Sequence, residues 1–313
     1  MSAKPTIFIH TNDQQIIGAY VSMYSMKKAS AHPDAFDVKL IRLEETPHLL
    51  MRQGQHYLRK GNHAVWLNED LQSFSPLRRM VPQLMGFQGR ALVTDPDVFA
   101  VGDIYELLNM DMDGKAILCR NVSEGYKDNR HKFYASSVML LDCSKLTHWR
   151  WDADIDQIFA GKLDYGPWIG LRSEFPETIG ELGEEWNSFD KLTPATRLLH
   201  TTERLTQPWK TGLPIDFDLT TKSPRKSKVE PLARRLWRML FKISNLAERD
   251  QFTESPAVYQ PHPDPAQEKL FFELLKGCIE EGYVDIKFLR HTIARHTVRS
   301  DALEILAAAG MAV

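Results

Sequence analysis

Apolar residues in the first part of the chain fall into short runs, each closed by polar or turn-forming residues. Thr6-Ile-Phe-Ile-His10 predicts a buried strand. From Ile16 to Lys28 the apolar positions Ile17, Tyr20, Val21 and Tyr24 recur at helical spacing. Phe36 to Arg42 alternates as a second strand does, and Leu77 to Met85 reads as a helix interrupted by Pro82. Ala91 to Val93 predicts a strand that runs into Asp95-Pro-Asp97, and a further apolar run, Val98 to Val101, follows. Asp103 to Leu108 starts another helix, Ala116 to Arg120 another strand, and Tyr134 to Leu141 a third strand-like run. Strands alternating with helices predict an α/β domain: an open, largely parallel sheet with helices on both faces. In such sheets ligands bind outside the C-terminal ends of strands. Thr11-Asn12 and Asp95-Pro-Asp97 both sit at such ends, so distance along the chain does not stop them sharing a crevice.

The pattern changes after Asp218. Lys222-Ser-Pro-Arg-Lys-Ser-Lys228 is polar and basic, and Pro231 to Ala247 reads as an amphipathic helix with proline in its first turn. Leu232, Leu236, Met239, Leu240 and Ile243 form one stripe, with Arg234, Arg235, Arg238 and Lys242 largely off it. Such a helix either lies on an anionic membrane surface or packs its stripe on the domain with its arginines in water. Tyr259 to Pro265 is a proline-rich linker, and 266–313 is helical in pattern, a docked appendage or an oligomerisation element. The expected division is 1–218, 219–250 and 251–313.

Net charge is −2 over 313 residues, so nothing global points to nucleic acid. The three cysteines, Cys119, Cys143 and Cys278, make neither a disulfide framework nor a zinc pattern, which fits a reducing cytosol. No stretch reaches the length of a membrane span. The expected location is cytoplasmic, with peripheral contact at the inner membrane surface through 231–247 as the attached alternative.

The chemistry concentrates at Asp95 and Asp97. Carboxylates are costly to bury unpaired, and two at the end of a core strand suit a divalent cation, which wants several hard oxygen ligands. An Asp-x-Asp triplet alone also describes many solvated turns. What separates the two is the order of the surrounding segments. Ile9-His-Thr-Asn-Asp13 is followed by Val21-Ser-Met-Tyr-Ser25, then Arg78 to Pro82. Leu92-Val-Thr-Asp-Pro-Asp-Val98 with Gly102-Asp-Ile-Tyr-Glu-Leu107 comes next. Ser137 to Asp142, Glu185-Trp-Asn187, and His200 with Pro208-Trp209-Lys210 complete the series. In this order the chain resembles the family-8 retaining glycosyltransferases, the group that includes glycogenin and the bacterial lipopolysaccharide galactosyltransferases. The resemblance covers roughly residues 5–215 and implies a GT-A-type nucleotide-binding domain with a mixed, mostly parallel sheet, followed here by a helical appendage. It also implies a metal held by Asp95, Asp97 and His200, nucleotide contacts from His10, Thr11, Asn12, Arg78 and Lys210, and sugar contacts from Ser136 and Ser137. The implied substrates are a nucleoside-diphosphate sugar, most readily a uridine diphosphate sugar, and a hydroxyl acceptor. An imidazole ligand favours Mn²⁺ over Mg²⁺.

The chain also departs from the family pattern. Ala135 stands where the family has a sugar-contacting Asn, Asp164-Tyr-Gly-Pro167 replaces an Asp-Gln-Asp segment, the glycine expected after His200 is lost within Thr201-Thr-Glu203, and Gln207 occupies the diphosphate lysine's place. Asp164 is the one candidate for a catalytic carboxylate in that region. The departures leave open a second reading, a protein that binds sugar nucleotides without transferring them. A nucleotidyltransferase would need a glycine-rich, lysine-bearing phosphate loop after the first strand, and Thr11-Asn-Asp-Gln-Gln15 has neither.

Overall fold

The computed structural model describes residues 4–123, 132–217 and 257–311. Its strands are β1 Thr6–Thr11, β2 Asp37–Arg42, β3 His56–Arg59, β4 Asn62–Val65, β5 Arg90–Thr94, β6 Val98–Ala100, β7 Ile117–Ser123, β8 Lys132–Asp142, β9 Ile179–Glu181, β10 Ser188–Phe189 and β11 Leu198–His200. Its α-helices are α1 Ile16–Lys28, α2 Pro47–Leu50, α3 Val81–Leu84, α4 Ile104–Leu108, α5 Trp151–Phe159 and α6 Tyr165–Ile169, then α7 Pro265–Glu280, α8 Ile286–Ala294 and α9 Ala302–Ala308.

A six-stranded sheet, ordered β2-β1-β5-β8-β7-β9, organises the molecule. Strands β2, β1 and β5 run parallel, as do β7 and β9, while β8 alone opposes its neighbours β5 and β7. This is the mixed, mostly parallel, helix-covered sheet that a GT-A-type domain implies. Side chains alternate across a strand, and here the alternation sorts them into two cores. Phe8, Ala91, Val93, Ile117, Cys119, Met139 and Leu141 face one side, with Trp149, Trp151 and Trp168. Ile7, Ile9, Leu92, Leu118, Val138 and Leu140 face the other. Burial on both faces explains why these strands read as continuous apolar runs rather than as alternating ones.

One local expectation changes. The segment from Ser75 begins as a 3-10 helix, Ser75–Met80, and α3 follows with Pro82 in its first turn, so the proline starts the helix instead of breaking it. The N-terminus of α1 has no side-chain cap on its N-cap residue Gln15; Asn12 Oδ1 accepts from Gln15 N–H at 3.2 Å instead.

The reversal of β8 matters for the site. Its register sets Val138 beside Thr94, and Asp95 N–H donates to Ser137 O at 2.9 Å. Ser136 and Ser137, midway along β8, are thereby delivered to the C-terminal end of β5. A second sheet, β10-β11-β6, brings His200 back beside Val98. The C-terminal helices dock on this face: Phe271 stacks on Trp209 at 5.0 Å, and both share a core with Ile17, Val21 and Tyr24 of α1. Gly18 lets α1 approach closely, because a Cβ there would lie 2.9 Å from Pro96 O. No described helix is long and apolar enough to cross a membrane. The basic helix expected over 231–247 lies outside the described residues.

Candidate metal centre

β5 ends at Thr94 and the chain turns at once through Asp95-Pro96-Asp97 into β6. The turn is gripped from behind by α1 and from the side by the strand and loop that carry His200. The result is that one ligand atom each from Asp95, Asp97 and His200 lie within 4.8 Å of one another. His200 Nε2 is 3.4 Å from Asp97 Oδ1. Each aspartate side chain keeps 16% of its surface exposed, while His200 keeps 6%.

The donor set fits a divalent cation. Two carboxylates and an imidazole are oxygen and nitrogen ligands that Mn²⁺ accepts readily. The surroundings of His200 orient it for that task. Its Nδ1 lies 2.9 Å from Asn187 Oδ1, and Asn187 Nδ2 donates to Ser137 Oγ at 3.1 Å. With Nδ1–H donated to the amide oxygen, Nε2 is left to face Asp97. A lone pair facing a carboxylate is repulsive unless a proton or a cation lies between them. Burial opposes charging His200, yet Asp97 above all, then Asp95 and Asp190, raise its pKa. A carbonyl or carboxylate on the far nitrogen is the usual device for aiming a metal-binding histidine.

Asp95 is held differently. Arg78 Nη2 donates to its Oδ1 at 2.9 Å, and His10 Nε2 lies 2.8 Å from the same oxygen without in-line hydrogen-bond geometry. Burial favours a neutral Asp95, but Arg78 and then His10 outweigh it and hold the carboxyl down at about 2. His10 itself is pushed below its ordinary value by burial, which Asp95 only partly offsets. Arg78 Nη1 donates to Ser136 Oγ at 2.7 Å, and that hydroxyl donates to Ile169 O at 3.1 Å.

Several residues expected to touch the nucleotide or sugar also have partners within the protein. His10, Thr11 and Asn12 are 0%, 0% and 2% exposed. His10 packs 5.3 Å from the Phe74 ring, and the Asn12 amide donates to Ser73 Oγ and Asp70 O, so these residues clamp the 70–74 loop. Ser136 and Ser137 tie down Arg78 and Asn187. Lys210 is fully buried, its ammonium paired with Asp216 beside the Tyr259 ring, and Tyr259 donates to the same carboxylate. That pairing turns Lys210 into a clasp between the post-His200 loop and the segment leading into α7. Asp164 Oδ1 accepts from Lys60 N–H at 2.7 Å and Gly166 N–H at 2.8 Å, and Oδ2 from Gly61 N–H at 2.6 Å. It caps α6 and pins the β3–β4 hairpin. The supporting role of Gln15, which bonds Gln207, carried no signal in the sequence; Asn187 was visible there only as part of a Trp-Asn pair.

No family model matches the chain, and no curated protein matches it. Solved structures do. The glycosyltransferase GlyE of Streptococcus pneumoniae TIGR4 is similar at 14% identity with a TM-score of 0.46, over 67% of this chain and 56% of GlyE. The galactosyltransferase LgtC, solved with donor and acceptor sugar analogues, is similar at 15% identity with a TM-score of 0.45, over 66% of this chain and 89% of LgtC. Mouse xyloside xylosyltransferase 1 is similar at 13% identity with a TM-score of 0.38, over 63% of this chain and 97% of that protein. The chain thus spans little more than half the length of GlyE. The Asp95–Asp97–His200 geometry, not these likenesses, carries the functional reading.

Proposed function

We propose that this chain is a metal-dependent retaining glycosyltransferase of GT-A type, a divergent relative of family 8. It takes a nucleoside-diphosphate sugar, with uridine diphosphate as the expected carrier, to a hydroxyl acceptor. The observation that carries this is the convergence of Asp95, Asp97 and His200 at the C-terminal end of a central strand, from positions more than 100 residues apart in the chain. Bound there, Mn²⁺ or Mg²⁺ supplies Lewis-acid stabilisation of the charge that develops on a leaving diphosphate. Asp95, Asp97 and His200 would hold it. Arg78 keeps Asp95 ionised and fixed, and Asn187 keeps the His200 Nε2 lone pair aimed at the cluster.

The test is binding of uridine diphosphate with and without Mn²⁺, followed by donor hydrolysis or transfer. Asp95→Ala and Asp97→Ala abolish Mn²⁺-dependent binding if this reading is right; intact binding in both variants ends it. One observation favours a second reading, a sugar-nucleotide binding protein without transfer. Asp164, the expected catalytic carboxylate, has both oxygens occupied by backbone N–H groups. Turnover of any donor in a panel of nucleotide sugars removes that alternative.

A further inference from the structure

Asp97 is held by residues of the loop that follows His200. Its backbone carbonyl accepts from Thr201 N–H at 3.1 Å and from the Thr201 hydroxyl at 3.3 Å. Its side chain meets His200 through Oδ1 and Gln207 through Oδ2, where Gln207 Nε2 donates at 3.4 Å. Gln207 Oε1 in turn accepts from Gln15 Nε2 at 3.3 Å. Both glutamines are buried, at 3% and 1% exposure. Gln15 is anchored at the start of α1 by its own backbone N–H, which donates to Asn12 O and Asn12 Oδ1.

The direction of this relay is fixed by charge. An ionised carboxylate only accepts, so Gln207 must present its NH₂ to Asp97. Its oxygen then faces Gln15, and Gln15 must present its NH₂ in turn. Gln15 Oε1 is left buried with no hydrogen-bond donor among the described residues. Neither amide can flip without setting oxygen against oxygen. The two links are at the long end of hydrogen bonds, so they orient Asp97 more than they stabilise the fold. A neutral amide also orients Asp97 without cancelling its charge, unlike the arginine that grips Asp95.

We infer that Gln207, held in place by Gln15, is the positioning residue of the metal ligand Asp97. This rests on the metal-centre reading above. Partners that orient a metal's ligands typically contribute 10- to 100-fold in metal affinity, and that is the loss expected here.

The experiment titrates the full chain with Mn²⁺ and follows the free-ion electron paramagnetic resonance signal, with metal-free melting curves alongside. Gln207→Met removes the donor at nearly constant volume. Its Kd for Mn²⁺ rises about 10- to 100-fold while the metal-free melting temperature stays at the wild-type value. Gln15→Met, measured in parallel, weakens Mn²⁺ binding in the same direction and serves alone if Gln207→Met does not fold. A wild-type Kd in folded Gln207→Met overturns the inference, as does a wild-type Kd in Gln15→Met where only that variant folds. Failure of the metal reading is a different result: the wild-type chain then gives no Mn²⁺ binding that Asp97→Ala removes.

Discussion

Glu174→Gln tests what holds the metal-side arginine in place. Arg79 and Glu174 form a buried pair at 2.8 Å, with side chains 3% and 4% exposed. The guanidinium lies 3.6 Å from the Trp149 ring centre, and Glu174 also accepts from Trp149 Nε1 at 3.0 Å and meets His148 at 2.7 Å. The neighbouring Arg78 leaves the same 3-10 helix toward Asp95, so anchoring Arg79 fixes the helix that presents Arg78. Removing one partner of a buried pair costs about 3–5 kcal/mol, because the other charge stays buried. Glutamine keeps one acceptor, which sets the expectation near the lower bound, about 3 kcal/mol. At about 2–4 °C per kcal/mol for domains somewhat smaller than this one, the melting temperature falls by roughly 6–12 °C at pH 7. The pH dependence follows from the direction of the shift. Burial favours protonated Glu174, but Arg79 and then His148 outweigh it and hold the folded pKa below the ordinary glutamate value. Its charge therefore stabilises the fold above the unfolded pKa, and that contribution is lost as pH falls through the folded value. Melting curves from pH 7 down to pH 3 should show the wild type converging on Glu174→Gln. A gap of under 1 °C at pH 7, or one that stays constant into acid, refutes the reasoning.

Three further substitutions separate structural from functional roles. Lys210→Met removes one partner of an ion pair and leaves Asp216, 32% exposed, without its cation, so the melting temperature falls; Mn²⁺-dependent nucleotide binding is unchanged, whereas a lysine that gripped the diphosphate would lose it. Gly18→Ala gains about 1 kcal/mol of helix propensity, yet its Cβ meets Pro96 O at 2.9 Å, so the Asp95–Asp97 turn shifts and Mn²⁺ titration reads weaker binding. Asp164→Ala removes a cap that serves three backbone N–H groups and lowers stability by about 1–2 kcal/mol in denaturant titration, with transfer rates within a few-fold of wild type; a loss of several orders of magnitude instead returns Asp164 to the chemistry.

What could be read from the sequence was the part written in local periodicity. β1, α1, β5 and the helix starting at Asp103 follow from apolar runs and their spacing, because these elements are buried on the sides the pattern shows. The Asp95–Asp97–His200 cluster was visible as well, through the order of its segments. The protein partners of the polar residues around it were not. Ser136, Ser137, Lys210 and Asp164 are polar residues at plausible positions, and only the fold decides whether a polar side chain faces a ligand or a neighbour. Their partners, Arg78, Asn187, Asp216 and the Lys60–Gly61 backbone, lie 6 to more than 100 residues away. Pairing over such distances leaves no periodic trace. The same holds for Gln207, which in sequence is a missing lysine and in the structure is a donor to Asp97.

If the proposed function holds, the charges around the cluster set the order in which ligands arrive. Asp95 is ionised and largely balanced by Arg78, and His10 is driven toward its neutral form by burial. Among the described residues Asp97 has amide, hydroxyl and imidazole neighbours for its two oxygens and its carbonyl. The bare cluster therefore carries about one negative charge when His200 is neutral and none when it is protonated, and neither state draws a diphosphate. A dication displaces any His200 proton and leaves the cluster with about one positive charge, which attracts an anionic ligand at short range. On the proposed function, metal binds first and the nucleotide second. Isothermal titration should show Mn²⁺ binding to the free protein, no uridine diphosphate binding without metal, and nucleotide affinity that falls as salt is raised. Tight uridine diphosphate binding in the presence of a chelator contradicts this order, and would mean that cations other than the metal neutralise the phosphates.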